Sequence, residues 1–338
     1  MNWQETLQAA RGQMGKCKAC PVCDGRGCKN TIPGPGAKGR GDVAIRNYVQ
    51  WQEIRVNMDT LHENVDPDTT LNLFGKTLRI PVLAGPVGAV QLHYADKHTD
   101  QSYNDILVPA CAQAGIAAFV GDGTNADVLK AGTAAIKAAG GVGVPTVKPW
   151  DMDTIREKMA LARESGAFAI AMDIDAAGLP FLQGLTPPAG SKSVEQLAQI
   201  AREAQVPFVL KGIMTPHAAL KAREAGAAGI VVSNHGGRVL DGCPSTAEVL
   251  PEIADAVGGS MTILVDGGIR SGLDVFKALA LGADGVLLAR PFVTAVYGGE
   301  TAGVNALVDQ LEAELTDTMR MCGAATLADI SRSMIRMC

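Results

Sequence analysis

Eight short apolar runs, separated by amphipathic segments, constrain the fold of this 338-residue chain more than any other feature. Continuous apolarity over a few residues is typical of parallel strands that are covered on both faces. The intervening segments, such as 152–166 and 193–205, repeat apolar residues at helical spacing. The runs cover residues 79–86, 117–123, 144–150, 167–175, 207–213, 228–236, 262–268 and 285–292.

The alternation predicts an α/β fold, the (β/α)8 TIM barrel, because eight strand–helix repeats within residues 79–292 match that architecture. A doubly wound open sheet is the alternative, but it rarely needs so many regular repeats. In addition, no GxGxxG motif follows the first run. We therefore expect a short Cys-rich N-terminal extension with a Gly/Pro-rich loop over residues 1–42, followed by the barrel over residues 43–338.

Net charge, apolar run length and cysteine count limit the partners and the location that we expect for this protein. The net charge of -5 and the lack of a basic stripe argue against a nucleic-acid partner. No run of about 18 apolar residues occurs, so we expect no membrane span. The polar start, MNWQETLQAARGQ, does not resemble a signal peptide. The eight cysteines then favour reduced thiols or a metal site over a disulfide framework, and a cytoplasmic location.

Polar side chains stand at the ends of the apolar runs, where a barrel of this kind carries its active site. The stretch SNHGGRVLDG places the imidazole of His235 three residues from the guanidinium of Arg238 on glycine-rich backbone. Lys211 could be a fixed cation beside an anionic cofactor. Asp173 and Asp175 share one face of a strand, so one of them could orient His235. An ion-paired lysine and a core histidine are the plain structural alternatives.

The segment VDGGIRSGLDVFKALALGADGVLLARP (265–291) predicts a phosphate site. Two glycines after a strand let the backbone approach an anion, and Gly272 and Asp274 then open a helix whose N-terminus favours phosphate. Arg270 and Arg290 can each add a charged donor fork. The loops after the seventh and eighth strands are the usual phosphate position in this barrel. Turn glycines without a ligand are the alternative.

Three stretches, SNHGGRVLDG, VLKG and DGGIRSGLDVFKALALGA, resemble the FMN-dependent α-hydroxy acid oxidases and dehydrogenases. The resemblance covers roughly residues 42–335. It implies FMN as the cofactor and oxidation of a small 2-hydroxy acid, lactate-like or glycolate-like, to the 2-oxo acid. Weaker versions of family segments lie at 46–61, 74–88 and 321–330.

The resemblance also implies a role for each matching residue. His235 would be the active-site base, paired with Asp175, and Arg238 would bind the substrate carboxylate. Lys211 would stabilise the reduced flavin. The implied FMN contacts, several of them at the ribityl phosphate end, are Pro86, Val87, Gly88, Lys211, Ser233, Asp266, Gly267, Gly268, Arg270, Ala289 and Arg290.

The chain departs from the family on the substrate side. The family's first substrate tyrosine falls in CKNTIPGPGAKGRG, which has none, and the second falls near Lys148. The stretch DAAGLPFLQG lacks the arginine that usually follows the strand-four aspartate, and Asp173 stands where threonine is usual. The connection from Asp175 to Lys211 is shorter than the family's lid-bearing one. We predict that Lys148 replaces a tyrosine as a partner of the substrate carboxylate.

Four cysteines, Cys17, Cys20, Cys23 and Cys28, form a C-x2-C-x2-C-x4-C pattern within twelve residues. The spacing is close to that of iron–sulfur ligands, and CPVCDGRG resembles half of a chaperone zinc motif. Thiolates on a short Gly-rich loop can close around zinc or around a [4Fe–4S] cluster. Unliganded thiols and disulfides are the alternatives.

Two other functions stay open at this point. One is an FMN-dependent isomerase on the same barrel, such as the type 2 isopentenyl diphosphate isomerases; the other is a flavin- or metal-binding redox sensor without turnover. The NHGGR pair fits a carboxylate better than a diphosphate, and the presence of His235, Arg238 and Lys211 argues against a sensor. The sequence leaves the electron acceptor unknown. The resemblance implies a homo-oligomer, a tetramer or an octamer.

Overall fold

The computed structural model describes residues 1–182, 184–185 and 189–337 of the chain. Part of the connection between Asp175 and Lys211 lies outside these ranges, as does Cys338. The strands in the described ranges, in chain order, are β1 (Ile54–Val56), β2 (Leu71–Leu73), β3 (Lys76–Leu78), β4 (Val82–Ala84), β5 (Ala118–Val120), β6 (Gly143–Val147), β7 (Ile170–Asp173), β8 (Phe208–Ile213), β9 (Gly229–Val232), β10 (Thr262–Val265), β11 (Gly285–Leu288) and β12 (Ile335–Met337).

Strands β4 to β11 form a closed parallel barrel in chain order, and β11 pairs with β4 to close it. Leu287 is the register partner of Leu83 across this closing seam. Each of the eight predicted runs contains or overlaps one barrel strand, so the TIM-barrel prediction is confirmed and the open sheet is excluded.

The helices cover the outside of the barrel. The two amphipathic segments named from the sequence form α6 and α7, which begin at polar caps: Asp151 accepts from the backbone N–H groups of Asp153 and Thr154, and Ser193 accepts from Gln196. The α-helices of the described ranges are α1 (Trp3–Ala10), α2 (Asp42–Glu53), α3 (Val90–Tyr94), α4 (Asp100–Gln113), α5 (Asp127–Ala138), α6 (Met152–Glu164), α7 (Val194–Ala204), α8 (Pro216–Glu224), α9 (Thr246–Val257), α10 (Gly272–Ala280) and α11 (Arg290–Cys322). None of them is long and apolar enough to cross a membrane.

The barrel interior is filled at its N-terminal end. The antiparallel hairpin of β2 and β3 contributes Leu73 and Leu78 to the same buried cluster as Leu83, Val209 and other inward-facing strand residues. A packed lower half is usual for this barrel. It leaves the C-terminal ends of the strands as the open end, where a ligand can enter.

The N-terminal extension packs onto the barrel. Helix α1 lies against α11 so closely that a Cβ at Gly298 would come within 2.1 Å of the Thr6 carbonyl oxygen. Further along, the backbone N–H of Lys38 donates to the Gly237 carbonyl over 2.8 Å. The extension therefore reaches the open end of the barrel, and the division at residue 42 stays a prediction.

Candidate active site

A cavity opens at the C-terminal ends of the barrel strands, and the predicted site residues gather around it. Its non-atom space is about 1280 Å³, including the part open to solvent. All the residues expected to contact the cofactor line it except Ser233. Lys148, His235 and Arg238 line it too, whereas Asp175 stands behind His235.

His235 occupies an unusual backbone conformation. Its φ is +56°, and Gly236 and Gly237 follow with φ of +60° and +77°. A left-handed conformation costs a residue with a Cβ about 1 kcal/mol, and non-glycine residues held there cluster at functional sites. Glycine is required at position 237 because a Cβ would lie 2.9 Å from the Val43 side chain. The Ser233 hydroxyl accepts the backbone N–H of His235 at 3.1 Å and so helps to hold the turn.

Two aspartates at the end of β7 face the His235 ring. Nδ1 of His235 lies 3.0 Å from Oδ1 of Asp175 and 3.6 Å from Oδ1 of Asp173. An ionised carboxylate can only accept a hydrogen bond, so Nδ1 carries a proton and Nε2 is the acceptor nitrogen of the neutral ring. The other Asp175 oxygen, Oδ2, is buried without a partner among the described residues.

Asp173 is the centre of a buried ion cluster. Lys211 Nζ lies 3.0 Å from its Oδ1, and Lys148 Nζ lies 3.6 Å from its Oδ2. Burial opposes ionisation of Asp173, but its interactions with His235, Lys211 and Lys148 outweigh burial and lower its pKa well below the usual range. Burial also opposes the charge on Lys211, yet the neighbouring carboxylates, Asp173 first, raise the Lys211 pKa above its ordinary value. Both groups are therefore charged at neutral pH.

The ion cluster also explains the one metal-like grouping in the described part of the chain. Asp173, Asp175 and His235 bring three potential ligand atoms within 4.8 Å of one another. The two lysines already neutralise this acidic pair, so the grouping needs no metal ion. Lys211 pairs with a rim carboxylate, as its structural interpretation predicted, and it also lines the cavity.

Asp266 lies beside Lys211 at the end of β10. Its Oδ2 is 3.5 Å from Lys211 Nζ, and its Oδ1 is buried without a partner among the described residues. Burial raises the pKa of Asp266, and the Lys211 charge opposes that rise. A buried polar atom without a partner costs free energy unless a ligand or water meets it. Oδ1 has almost no exposed surface, so this cost belongs to the packing of the cavity wall and does not by itself indicate a ligand.

Arg238 is bound by the N-terminal extension. Its Nη1 donates to the carbonyl oxygens of Gly34 and Gly36, each at 2.8 Å. Burial lowers the Arg238 pKa to about 10, which leaves the guanidinium charged at neutral pH. These two carbonyls occupy one nitrogen, and the guanidinium still faces the cavity with its remaining donors.

The proposed phosphate end contains two arginines. The start of α10, which the sequence placed at the phosphate, does not line the cavity, because the N–H of Gly272 donates to Glu314 at 2.7 Å. Arg290 is held by the Gly236 carbonyl at 3.3 Å, and Arg270 Nε donates to the Cys23 carbonyl at 2.8 Å. Gly267 and Gly268 have φ of +85° and +87°, where a side chain would be strained, and a Cβ at Gly268 would collide with the backbone of Asn47. Two cations and close-approach backbone at one end of a cavity fit the phosphate of a mononucleotide.

The sequence analysis missed several cavity residues, among them His93, Tyr94, Asp122, Leu179 and Phe181. Asp122 could have been found, because it lies at the end of the second apolar run, at the expected rim of the barrel. It accepts hydrogen bonds from Trp150 Nε1 at 2.6 Å and from Lys158 Nζ at 2.7 Å, so its role is to fix the loop after β6. No local pattern marks His93.

The four clustered cysteines lie outside the cavity wall. All four are free and partly buried. The loop that carries them contacts the site through Cys23, whose carbonyl accepts from Arg270 and whose Sγ lies 3.7 Å from Arg270 Nη2. No three of their sulfur atoms come within 4.8 Å of one another.

Comparisons with known proteins agree with this geometry. The chain is 52% identical over 141 residues to an L-lactate dehydrogenase of Pectobacterium atrosepticum, covering 42% of this chain and 36% of that one. It is 46% identical over 145 residues to a peroxisomal (S)-2-hydroxyacid oxidase of Arabidopsis thaliana, covering 43% and 39%. The aligned part of this chain thus spans little more than a third of the length of these curated relatives.

Solved structures extend the likeness to the whole fold. A crystal structure described as a lactate oxidase of Pediococcus acidilactici matches with a TM-score of 0.82 and 28% identity, over 100% of this chain and 95% of that one. A mandelate oxidase variant matches with a TM-score of 0.80 and 27% identity, over 99% and 97%.

A protein-family model matches most of the chain and identifies its family. The model described as FMN-dependent dehydrogenase matches residues 35–181 and 186–337, which is most of the chain. FMN is the cofactor of that family, and the cationic end of the cavity, with Gly267 and Gly268 beside it, fits the phosphate of a flavin mononucleotide. The chain therefore belongs to the FMN-dependent dehydrogenase family.

Proposed function

We propose that this protein uses FMN to oxidise a small 2-hydroxy acid to the 2-oxo acid. The observation that supports this function best is the 3.0 Å contact between His235 Nδ1 and Asp175 Oδ1 at the cavity. A carboxylate behind an imidazole fixes its tautomer and stabilises the protonated ring, which suits histidine to act as a general base. The family match favours this function over the isomerase and the sensor.

The proton and the electrons leave the substrate by separate routes. His235 Nε2 accepts the proton of the substrate hydroxyl, and Asp175 stabilises the imidazolium that results. FMN, when bound, supplies the acceptor for the α-hydrogen and the two electrons released as the carbon–oxygen double bond forms. Lys211 contributes a permanent positive charge beside the cofactor.

Two cations would hold the substrate carboxylate. Arg238 remains charged although it is buried, and its side chain lines the cavity near His235. Lys148 lies on the same wall. Its ammonium group is 3.6 Å from Asp173, which is a long contact for an ion pair. We propose that Lys148 supplies a second charged contact in place of the family's tyrosine. At the far end, Arg270 and Arg290 would bind the FMN phosphate.

Anaerobic flavin reduction tests the proposed function. Holoenzyme is mixed with glycolate, L-lactate, D-lactate and mandelate under nitrogen, and the flavin absorbance is followed. Bleaching by at least one acid is expected in the wild type, together with its loss in His235→Ala and its retention in His217→Ala. If no acid bleaches the flavin but the chemically reduced enzyme isomerises isopentenyl diphosphate, the proposal is wrong and the isomerase is right.

We further propose that Cys17, Cys20, Cys23 and Cys28 bind a metal centre. The loop reverses direction at Ala19 and Gly25, with φ of +42° and +86°, and Cys20 Sγ packs against Gly27 next to Cys28. A single tetrahedral zinc would need sulfur atoms about 3.8 Å apart, given zinc–sulfur bonds of about 2.3 Å. No three of these sulfur atoms approach that spacing, and the cysteine pattern suits zinc and a [4Fe–4S] cluster alike.

Metal analysis of protein purified without oxygen tests the metal centre. About four irons with matching sulfide per chain would support the cluster, and one zinc would support the structural clip. Cys20→Ser should lower the metal content, whereas Cys243→Ser, which removes a thiol outside the extension, should not. Wild-type protein that contains FMN but neither metal would overturn this proposal and leave the oxidation chemistry intact.

A homo-oligomeric state and a cytoplasmic location are further proposals. The first rests on the family resemblance and the second on the number of reduced cysteines. Native mass spectrometry distinguishes a tetramer or an octamer from a monomer. The electron acceptor is to be identified by following reoxidation of the flavin with oxygen, a quinone and a cytochrome in turn.

A further inference from the structure

His93 is a buried histidine on the cavity wall. It lies near the end of α3, is 8% exposed, and its ring packs 6.1 Å from the ring of Phe181. The proton-transfer and anion-binding roles described above do not use it. A polar side chain that lines a buried site needs a reason to be there, since an apolar residue would pack at lower cost.

The hydrogen bond to one ring nitrogen fixes the tautomer of His93. The backbone N–H of Gly34 donates to His93 Nδ1 at 3.1 Å, so Nδ1 is an acceptor and has no proton. In a neutral imidazole the other nitrogen then has the proton. Nε2–H makes no hydrogen bond to a described residue, and Nε2 is not among the fully buried unpaired atoms. Its remaining access is to the cavity that the ring lines.

The surroundings of His93 keep the ring neutral. Burial, together with the neighbouring Arg238, Lys148 and His235, lowers its pKa to about 4. A protonated ring would also point Nδ1–H at the Gly34 N–H, donor against donor. His93 is therefore a neutral group with one outward donor at neutral pH.

Gly34 positions His93 and Arg238 together. Its N–H donates to His93, while its carbonyl accepts from Arg238 Nη1 at 2.8 Å. Its φ of +142° strains any residue with a side chain, and a Cβ would lie 2.6 Å from the Thr31 carbonyl oxygen. The two side chains thus present donors to one end of the cavity in a fixed relation.

We infer that His93 binds the substrate carboxylate beside Arg238, donating a hydrogen bond from Nε2–H to one carboxylate oxygen. This inference rests on the proposed 2-hydroxy acid oxidation and identifies a specificity-determining residue for it. Gly34 belongs to the segment where a substrate tyrosine was expected and is absent. A neutral imidazole N–H in the same region can take over the task of a phenolic O–H, since both donate a hydrogen bond to an anion.

Two substitutions separate substrate binding from a structural role. His93→Asn keeps an acceptor oxygen near the Nδ1 position, so the bond from Gly34 survives, but no donor reaches the Nε2 position. His93→Gln places an amide donor near the Nε2 position and gives up the bond from Gly34. His217→Asn makes the same change at an exposed histidine on α8 and is the matched control.

Carboxylate binding gives a readout that is independent of turnover. Pyruvate and oxalate, which cannot be oxidised by this chemistry, are titrated into oxidised holoenzyme, and the flavin spectrum reports their Kd. We expect His93→Asn to weaken binding by about 10- to 100-fold, the effect of losing a hydrogen bond to a charged group. His93→Gln should bind close to the wild type, and His217→Asn should be unchanged.

Each other outcome has one meaning. Weak binding by His93→Gln with normal binding by His93→Asn would overturn the inference, since His93 would then serve only to hold Gly34. Equal binding by all variants would overturn it as well, as would a wild type that binds neither carboxylate. A wild type that binds both carboxylates but is not reduced by any 2-hydroxy acid would overturn the proposed function alone.

Discussion

Arg238 donates to the carbonyl oxygen of Gly34 across 2.8 Å, although the two residues lie 204 positions apart in the chain. The bond joins the loop after β9 to the N-terminal extension, so the extension forms part of the wall around the proposed substrate carboxylate. Lys38 adds two contacts to the same end of the barrel, donating from Nζ to the carbonyls of Gly178 and Val239 at 3.3 and 3.1 Å. Changes in the extension should therefore affect substrate binding.

Gly34→Ala should raise the substrate KM by about tenfold or more while the flavin stays bound. The added Cβ meets the Thr31 carbonyl oxygen at 2.6 Å, so the loop must shift and release both Arg238 and His93. Losing a hydrogen bond that orients a charged group is worth roughly 1.5–3 kcal/mol. Steady-state kinetics with bound-flavin quantification is the measurement. Gly12→Ala is the control, because Gly12 also has a positive φ, +78°, but its added Cβ would lie in open space; equal effects of the two substitutions would contradict this prediction.

Asp175→Asn should lower kcat by about 10²- to 10⁴-fold with a small change in KM. An amide cannot stabilise the imidazolium of His235, and its N–H group can favour the wrong tautomer of the ring. Rapid-mixing measurement of flavin reduction reports the chemical step directly. Asp127→Asn, an exposed aspartate in the first turn of α5, should behave like the wild type. Undiminished reduction by Asp175→Asn would remove Asp175 from the proton-transfer pair.

Lys148→Met should raise the substrate KM by about tenfold, because one charged contact to the carboxylate is lost. Asp173 stays paired with Lys211 at 3.0 Å, so the ion cluster retains its stronger contact. Lys130→Met, at an exposed site on α5, is the matched substitution. Parallel kinetics of both variants decide the matter, and an unchanged KM for Lys148→Met would leave Lys148 with only its pairing to Asp173.

Lowering the pH should destabilise the holoenzyme over the pH range in which His93 is protonated only in the unfolded chain. Its folded pKa of about 4 is below the ordinary value of 6.5, so the unfolded chain binds a proton between these limits while the folded protein does not. Stability is therefore intact above pH 6.5 and decreases as pH falls towards 4, by up to about 3 kcal/mol. Denaturant unfolding at several pH values, compared between wild type and His93→Gln, measures this. A slope that is the same in both proteins over this range would assign the acid sensitivity to other groups.

The barrel and the rim positions were predictable because their signals are local. A strand covered on both faces must be apolar throughout, so β4 to β11 were visible as apolar runs. Each strand end fixes which residue stands at the rim, which is why Lys211, His235 and Asp266 were found to line one cavity as expected. The glycines after His235 could be identified for a similar reason, since glycine is the residue that most readily adopts the left-handed backbone conformation of this turn.

The contacts of the N-terminal extension were not predictable, because they depend on where a Gly/Pro-rich loop with no periodic pattern returns. His93 meets Gly34 across 59 positions, and Arg238 meets it across 204. The residues near His93 specify neither of these contacts, nor the tautomer of the His93 ring. The sequence by itself determined the barrel, its polar rim and the family. Only the tertiary structure decided that the extension closes on the rim, because that depends on packing between segments far apart in the chain.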